Sequence, residues 1–403
     1  MSTRSTSTAA TSNDIIRKPR ALELDFVRGI AILMVMGYHF EQAPKALHPI
    51  LYWLQEPFKL CGATGVDMFF VLSGFLVGGL LLKEYLQTQR VNSTKFILRR
   101  GLKIWPAYYF YIFFQMVTHK HPLSTFAVQN LVHLQNYLGS SLGHTWTLAV
   151  EEHFYLLLTF ALAWMTSRQW PIERILKVFL CVIPAVIAIR CLTVYEGWPG
   201  AGQYTHNRLD ALMMGVVLAV LFHFYPEIFD RISDKKWLLA GTAAAAVIFC
   251  CLFQSHKVEF TVGFTIMYVG YAALLLLVYR HSGRVKNWAP YRWTASIGLY
   301  SYGIYLWHNA GRQPMLAFAS HLPESVKWPV TTIGQVLIGI VLGVLSTRLV
   351  EWPFLRLRDK LFPSRVALQL ELEVKAMAQV QTAPEQQSID EKLIDENRRA
   401  LVP

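Results

Sequence analysis

Apolar runs of about twenty residues recur along almost the whole of this 403-residue chain. Each is long enough to cross, as a helix, a hydrocarbon layer roughly 30 Å thick. In lipid a backbone must pair its own N–H and C=O groups, so only helices or a closed barrel can span it. About ten runs can be laid out, at 24–42, 61–83, 97–118, 146–166, 174–194, 207–225, 236–253, 258–279, 293–319 and 329–350. The expected fold class is therefore all-α, a polytopic transmembrane helical bundle. Composition agrees: 54% of residues are hydrophobic and 16% charged, where a soluble chain carries about a quarter charged.

The formal net charge of +12 would suit a nucleic-acid partner, but the basic residues are spread over short connections, which topology explains better. Alternate connections collect them, as in Lys83, Arg90, Lys95, Arg99 and Arg100, or Arg280, Arg284, Lys286 and Arg292. The opposite connections carry histidines such as His48, His133, His144 and His321. The positive-inside rule puts the basic set and both termini in the cytoplasm, which requires an even number of spans.

Residues 1–21 read as a disordered cytoplasmic arm with no signal-peptide core. Residues 22–355 form the expected membrane domain, and 356–403 a charged cytoplasmic tail, partly disordered. Within that tail VALQLELEV (366–374) alternates like a strand but is built from helix formers, and its state stays open. The stretch 120–145 is too polar to span and is expected on the outer surface or dipping back. The five cysteines (Cys61, Cys181, Cys191, Cys250, Cys251) show no ligand or disulfide spacing, so no metal and no disulfide framework are expected.

Ionisable residues inside the runs carry the functional signal. In LELDFVRGIAILMVMGYHF, Arg28 and His39 are eleven positions apart, roughly 16 Å along a helix and on nearly one face. Asp25, one turn before Arg28, offers a purely structural partner. WTLAVEEHFY places Glu151 or Glu152 at a depth similar to His39, where a carboxylate would orient an imidazole. FILRRGLKIWP brings Arg99, Arg100 and Lys103, either a positive-inside cluster or, with Arg28, a pocket for a phosphorylated ligand. Ser73-Gly74 permits close helix approach. Arg208 and Asp210 open the sixth run, and Tyr302, Tyr305 and His308 recur at helical spacing in the ninth, where an aromatic belt accounts for the tyrosines. RLVEWPFLRLR ends the last run, with Arg348 and Glu351 expected to pair and Pro353 to stop the helix.

In this order, LDFVRGIAIL with His39, GVDMFFVLSGFL, RRGLKIWP, WTLAVEEHFY, RLDALMMG and YSYGIYLWH closely resemble acyltransferase family 3, the integral-membrane O-acyltransferases. The resemblance covers roughly residues 22–355. It implies ten helices and transfer of an acyl group, commonly acetyl from cytoplasmic acetyl-CoA, onto a hydroxyl of an envelope glycan or other glycoconjugate. It makes His39 and Glu151 catalytic, with His39 as general base or transient acyl carrier. It makes Arg28, Arg100 and Lys103 the contacts to the CoA phosphates. Lys103 stands where the family has Arg and gives up the bidentate fork; Thr147 and His153 replace Ser and Gln. Arg208, Asp210, Tyr305 and His308 are candidate substrate or oxyanion contacts. No metal and no nucleic acid are implied; the partners are acyl-CoA, a carbohydrate acceptor and the bilayer of the cytoplasmic (inner) membrane. The chain's end about fifty residues after the last run suits a stand-alone transferase. The rival reading is a transporter or flippase for a lipid-linked sugar, against which stands the lack of an inverted repeat.

Overall fold

A computed structural model describes residues 22–119, 123–140 and 142–363. The expectations for the N-terminal arm and for most of the tail, VALQLELEV included, lie outside the described residues. The chain divides into two units, Ala21–Phe354, which holds everything discussed below, and a second made of the two ends, of which only Leu355–Pro363 is described.

Every regular element among the described residues is helical. The order begins with α1 (Leu22–His39), α2 (Pro49–Cys61), α3 (Gly65–Thr88) and α4 (Ser93–His119). Two short helices follow, α5 (Leu123–Leu131) and α6 (Gln135–Leu138), then α7 (Trp146–Ser167), α8 (Ile172–Tyr195) and α9 (Leu209–Phe224). Next come α10 (Pro226–Ser233), α11 (Lys236–Leu252), the single turn α12 (His256–Val258) and α13 (Phe264–His281). The last are α14 (Ala289–Leu299), α15 (Ser301–Trp307), α16 (Arg312–Ala319), α17 (Glu324–Ser346) and α18 (Trp352–Leu361). Among the described residues five helical stretches are long and apolar enough to cross a membrane, six if the sharply bent pair α9–α10 counts as one. The protein is an integral membrane protein built from helices.

Small residues decide which helices meet face to face. Gly74 and Gly78 of α3 lie against α9, where the backbone of Leu212 occupies the space a Cβ on Gly74 would need. Gly29 of α1 meets Thr294 of α14, and Gly298 of α14 meets the backbone of Asp25. Backbones that approach this closely gain dispersion contacts, the main attraction between helices in lipid. The core they enclose includes Ile32, Val35, Phe70, Leu72, Phe154, Val216 and Tyr268, all nearly inaccessible.

Three expectations need correction. The run 293–319 is not one helix: it breaks at Tyr300 and again after Trp307, giving α14, α15 and α16. α14 packs on α1, whereas α15 and α16 both pack on α17, so the chain changes partner at the first break and turns against the same helix at the second. Pro353 does not stop the last helix. It follows a wide five-residue turn, Thr347–Glu351, and sits in the first turn of α18, where its missing N–H is harmless. Arg348 does not pair with Glu351: it donates to the Tyr300 hydroxyl at 3.2 Å and lies over the Tyr300 and Trp352 rings.

The stretch between α4 and α7 folds over the ends of those helices. Tyr108 donates to Asn130 O at 2.9 Å and Gln135 to Thr145 O at 2.9 Å. His133 stacks on Tyr108 with ring centroids 4.7 Å apart. Burial pushes its pKa down to about 4, so it is neutral. Cys61 and Cys251 are free thiols with sulfurs 3.2 Å apart, a proximity that their spacing of 190 residues concealed.

The glycine contacts give a paired prediction. Gly74→Val, forced against Leu212, should lower stability by roughly 1–3 kcal/mol or prevent folding. Gly241→Ala in α11, where a Cβ meets nothing within 4 Å, should raise it by roughly 0.5–1 kcal/mol. Thermal unfolding of the detergent-solubilised variants measures both.

Candidate active site

α1 carries its two functional candidates at opposite ends. Arg28 is held by Asp25, one turn earlier, at 2.9 Å, and keeps 23% of its side chain accessible. The structural pairing considered from the sequence is thus present. At the other end His39 Nδ1 lies 2.8 Å from the Val35 carbonyl. A carbonyl only accepts, so Nδ1 carries the proton and Nε2 keeps its lone pair. The ring therefore has its tautomer fixed by its own helix, without a carboxylate.

Two more imidazoles continue from it in a row. The His308 ring stands edge-on to His39 with centroids 4.8 Å apart, and His144 stands edge-on to His308 at 5.1 Å. His308 Nδ1 donates to Tyr305 O at 2.7 Å, at the end of α15, so it has the same tautomer as His39. Its Nε2 and that of His144 are buried without hydrogen-bond partners. His308 caps α15 with its backbone still helical and meets His39 of α1 from there. The sequence placed His308 beside the tyrosines but gave His144 only a loop position. Among the described residues no group of three His, Cys, Asp or Glu side chains is arranged to hold a metal ion.

Tyr305 ties this cluster to α7. Its hydroxyl donates to His144 O at 2.5 Å and accepts from Thr147 Oγ1 at 2.6 Å. With its single proton committed to a carbonyl, Tyr305 is a structural tie and not a ready oxyanion donor.

Glu151 lies about one turn further along α7, in a second cluster. Its carboxylate accepts from Ser73 Oγ at 2.7 Å, and Ser73 also meets the Tyr155 hydroxyl at 3.0 Å. Arg100 and Lys103 are the cations whose charge acts on it. The Arg100 guanidinium lies 5.1 Å from the centre of the Tyr155 ring. Ser73 thus does more than permit close packing: it is a hydrogen-bond partner of Glu151. Arg100 and Lys103 are seven and ten residues into α4, roughly 10–15 Å from its start, so they reach well inside the bundle. Glu152 points elsewhere and accepts from Trp105 Nε1 at 3.2 Å.

Arg208 and Asp210, adjacent in the sequence pattern, serve separate pairs. Asp210 is fully buried and bound by Arg190 Nη1 at 2.9 Å to both oxygens, with Thr265 donating at 3.0 Å. Arg190 further donates to Asn207 O, Thr261 O and Thr265 Oγ1. A carboxylate so saturated is architectural. Arg190 had no role in the sequence reading, although an arginine well past the basic start of the apolar run 174–194 was the available signal. Arg208 instead pairs with Asp67 of α3 and lies against the Phe264 ring at 3.8 Å. Its Nε and Nη1 have no hydrogen-bond partner.

Comparison with known proteins matches residues 22–352 to a family model described as an acyltransferase domain, Acyl_transf_3. Curated relatives include O-acetyltransferase OatA of Staphylococcus aureus, 26% identical over 381 residues, covering 85% of this chain and 59% of that protein. The putative peptidoglycan O-acetyltransferase YrhL of Bacillus subtilis is 27% identical, with 85% and 56% covered. Peptidoglycan O-acetyltransferase OatA of Listeria monocytogenes is 26% identical, with 82% and 55% covered. The chain thus spans a little over half the length of these relatives. No solved structure gives a significant match.

The buried Arg190–Asp210 pair yields the prediction of this section. Asp210→Ala strands a buried guanidinium and should destabilise the protein by about 3–5 kcal/mol. Unfolding of the solubilised protein measures it, and an unchanged melting temperature would show that Asp210 has no architectural role.

Proposed function

The chain belongs to the acyltransferase 3 family matched over residues 22–352, and we propose that it is a multi-pass membrane O-acyltransferase. In this reading it moves an acyl group, acetyl from cytoplasmic acetyl-CoA, onto a carbohydrate hydroxyl beyond the cytoplasmic membrane. The observation that carries it is the fixed tautomer of His39. Val35 O holds the proton on Nδ1 and leaves a base at Nε2, beside buried histidines in a helix bundle. The names of the relatives, O-acetyltransferase and peptidoglycan O-acetyltransferase, support acetyl as the group and a cell-wall type of glycan as the acceptor.

The proposed topology has ten spans with both termini cytoplasmic, as the distribution of Lys and Arg favours. Arg28, Arg100 and Lys103 receive the phosphates of the donor. Arg28 retains accessible surface for this, and Arg100 and Lys103 act on Glu151 of α7. Nε2 of His39 takes the proton of the acceptor hydroxyl, the oxygen attacks the thioester carbonyl, the C–S bond breaks, and the departing thiolate receives the proton. Passage of the acyl group through Nε2 itself uses the same nitrogen. Glu151 acts on the cations and on Ser73 in this scheme, a positioning role in place of the ring-orienting role expected from the sequence.

The test uses purified protein and radiolabelled acetyl-CoA, with release of CoA as the readout. His39→Ala should lose at least 10²–10⁴-fold in turnover with its melting temperature unchanged. Arg100→Ala should raise the KM for acetyl-CoA. Undiminished CoA release from His39→Ala would overturn the assignment, and a wild type that neither binds nor turns over acetyl-CoA would favour the transport reading.

A further inference from the structure

A cavity of about 690 Å³ opens at the end of the bundle where α1 terminates. That is within the range of roughly 300–1,000 Å³ typical of small-molecule sites. Its walls include Tyr38, Asp67, Trp146, Trp198, Arg208 and Phe264. Tyr38 precedes His39 in the chain, and Trp146 precedes Thr147, whose hydroxyl bonds Tyr305. Two wall residues are therefore the immediate neighbours of residues in or tied to the histidine cluster. Part of the wall is the turn Gly197–Gln203, in which Gly200 has a φ of +78°, a backbone state that favours glycine.

We propose that this cavity is the acceptor subsite and that it takes a neutral pyranose unit of the glycan. The proposal rests on the acyltransferase reading and deepens it. Charge is the first argument. The wall carries two acidic groups, Asp67 and Glu259, and two basic ones, Arg208 and Lys257. The balance suits neither the phosphates of the acyl donor nor an acidic sugar, which would face two carboxylates. Polar chemistry is the second. Arg208 is 3% exposed, is paired with Asp67, and still has Nε and Nη1 without an acceptor. A buried donor left unmade is costly. A sugar hydroxyl both accepts and donates, and can bridge guanidinium and carboxylate together. The third argument is residue type: two of the lining side chains, Trp146 and Trp198, are indoles, the flat apolar kind of group that suits the C–H face of a pyranose.

The experiment is saturation-transfer NMR on the full-length protein in detergent, with two probes. N,N′-Diacetylchitobiose is a neutral pyranose disaccharide, and digalacturonate is its acidic counterpart. The expected result is saturable transfer to the neutral probe, weakened about tenfold or more in Kd, a loss of about 1.4 kcal/mol or more, by Trp198→Ala and by Asp67→Asn. Trp198 is 55% exposed, so its replacement spares the fold even if Asp67→Asn disturbs it. The assignment is overturned if the neutral probe shows no transfer, if Trp198→Ala binds it as well as wild type, or if digalacturonate binds better. CoA release from acetyl-CoA, run in parallel, separates the two claims. Turnover without binding of the neutral probe removes this subsite alone, whereas binding without turnover removes the acyltransferase reading and leaves a sugar site.

Discussion

A helix carrying an arginine and a histidine roughly 16 Å apart on one face cannot be left to lipid, and the packing of α1 answers that constraint. Glycines at 29 and 298 let α1 and α14 touch backbone to backbone, and α3 closes a second side. Asp25 neutralises Arg28 from within the same helix. His39 falls at the last residue of α1, where the Val35 carbonyl one turn back accepts from Nδ1. Arg28 and His39 each thereby have a protein partner, which is the condition for keeping them in such a helix at all.

α7 gives the bundle its functional axis. Trp146 stands at the cavity, Thr147 at Tyr305, and Glu151 at Ser73 and the two cations of α4. Five residues of helix cover roughly 7.5 Å, so one rigid element sets the spacing between these three environments. A shift of α7 along its axis would move all three together.

Much of this was legible before any coordinates. Apolar runs at membrane length announced a helical membrane protein, although five or six stretches among the described residues, against ten runs in the sequence, are long and apolar enough to cross. Arg28, His39 and Glu151 stood out because charge in such runs is expensive. What could not be read were partners distant in the chain: Ser73 lies 78 residues from the glutamate it bonds, and Asp67 141 residues from Arg208. The break after Trp307 was also hidden. Hydropathy records composition but not which neighbour a segment packs on, although Asn309 and Gly311 offered a weak signal of a turn. Arg190 is the clearer omission, since the rule that singled out Arg28 applies to it equally.

The acceptor that fixes His39 bears on the chemistry proposed for it. A carboxylate beside Nδ1 would stabilise an imidazolium and let charge rest there, as in a serine hydrolase triad. A backbone carbonyl offers only a dipole, and the rings packed against His39 are those of Tyr38 and His308, with His144 behind His308. A base in such surroundings is a poor place to store a positive charge. In the proposed reaction the leaving group resolves this, because a thiolate, with a reference pKa of about 8.5, outcompetes an imidazole at about 6.5 for the proton. Two units correspond to roughly 2.7 kcal/mol in favour of passing the proton on. On this argument His39 acts as a relay between acceptor oxygen and departing sulfur, and the carboxylate that sequence reasoning assigned to its ring is free to serve the cations of α4 instead.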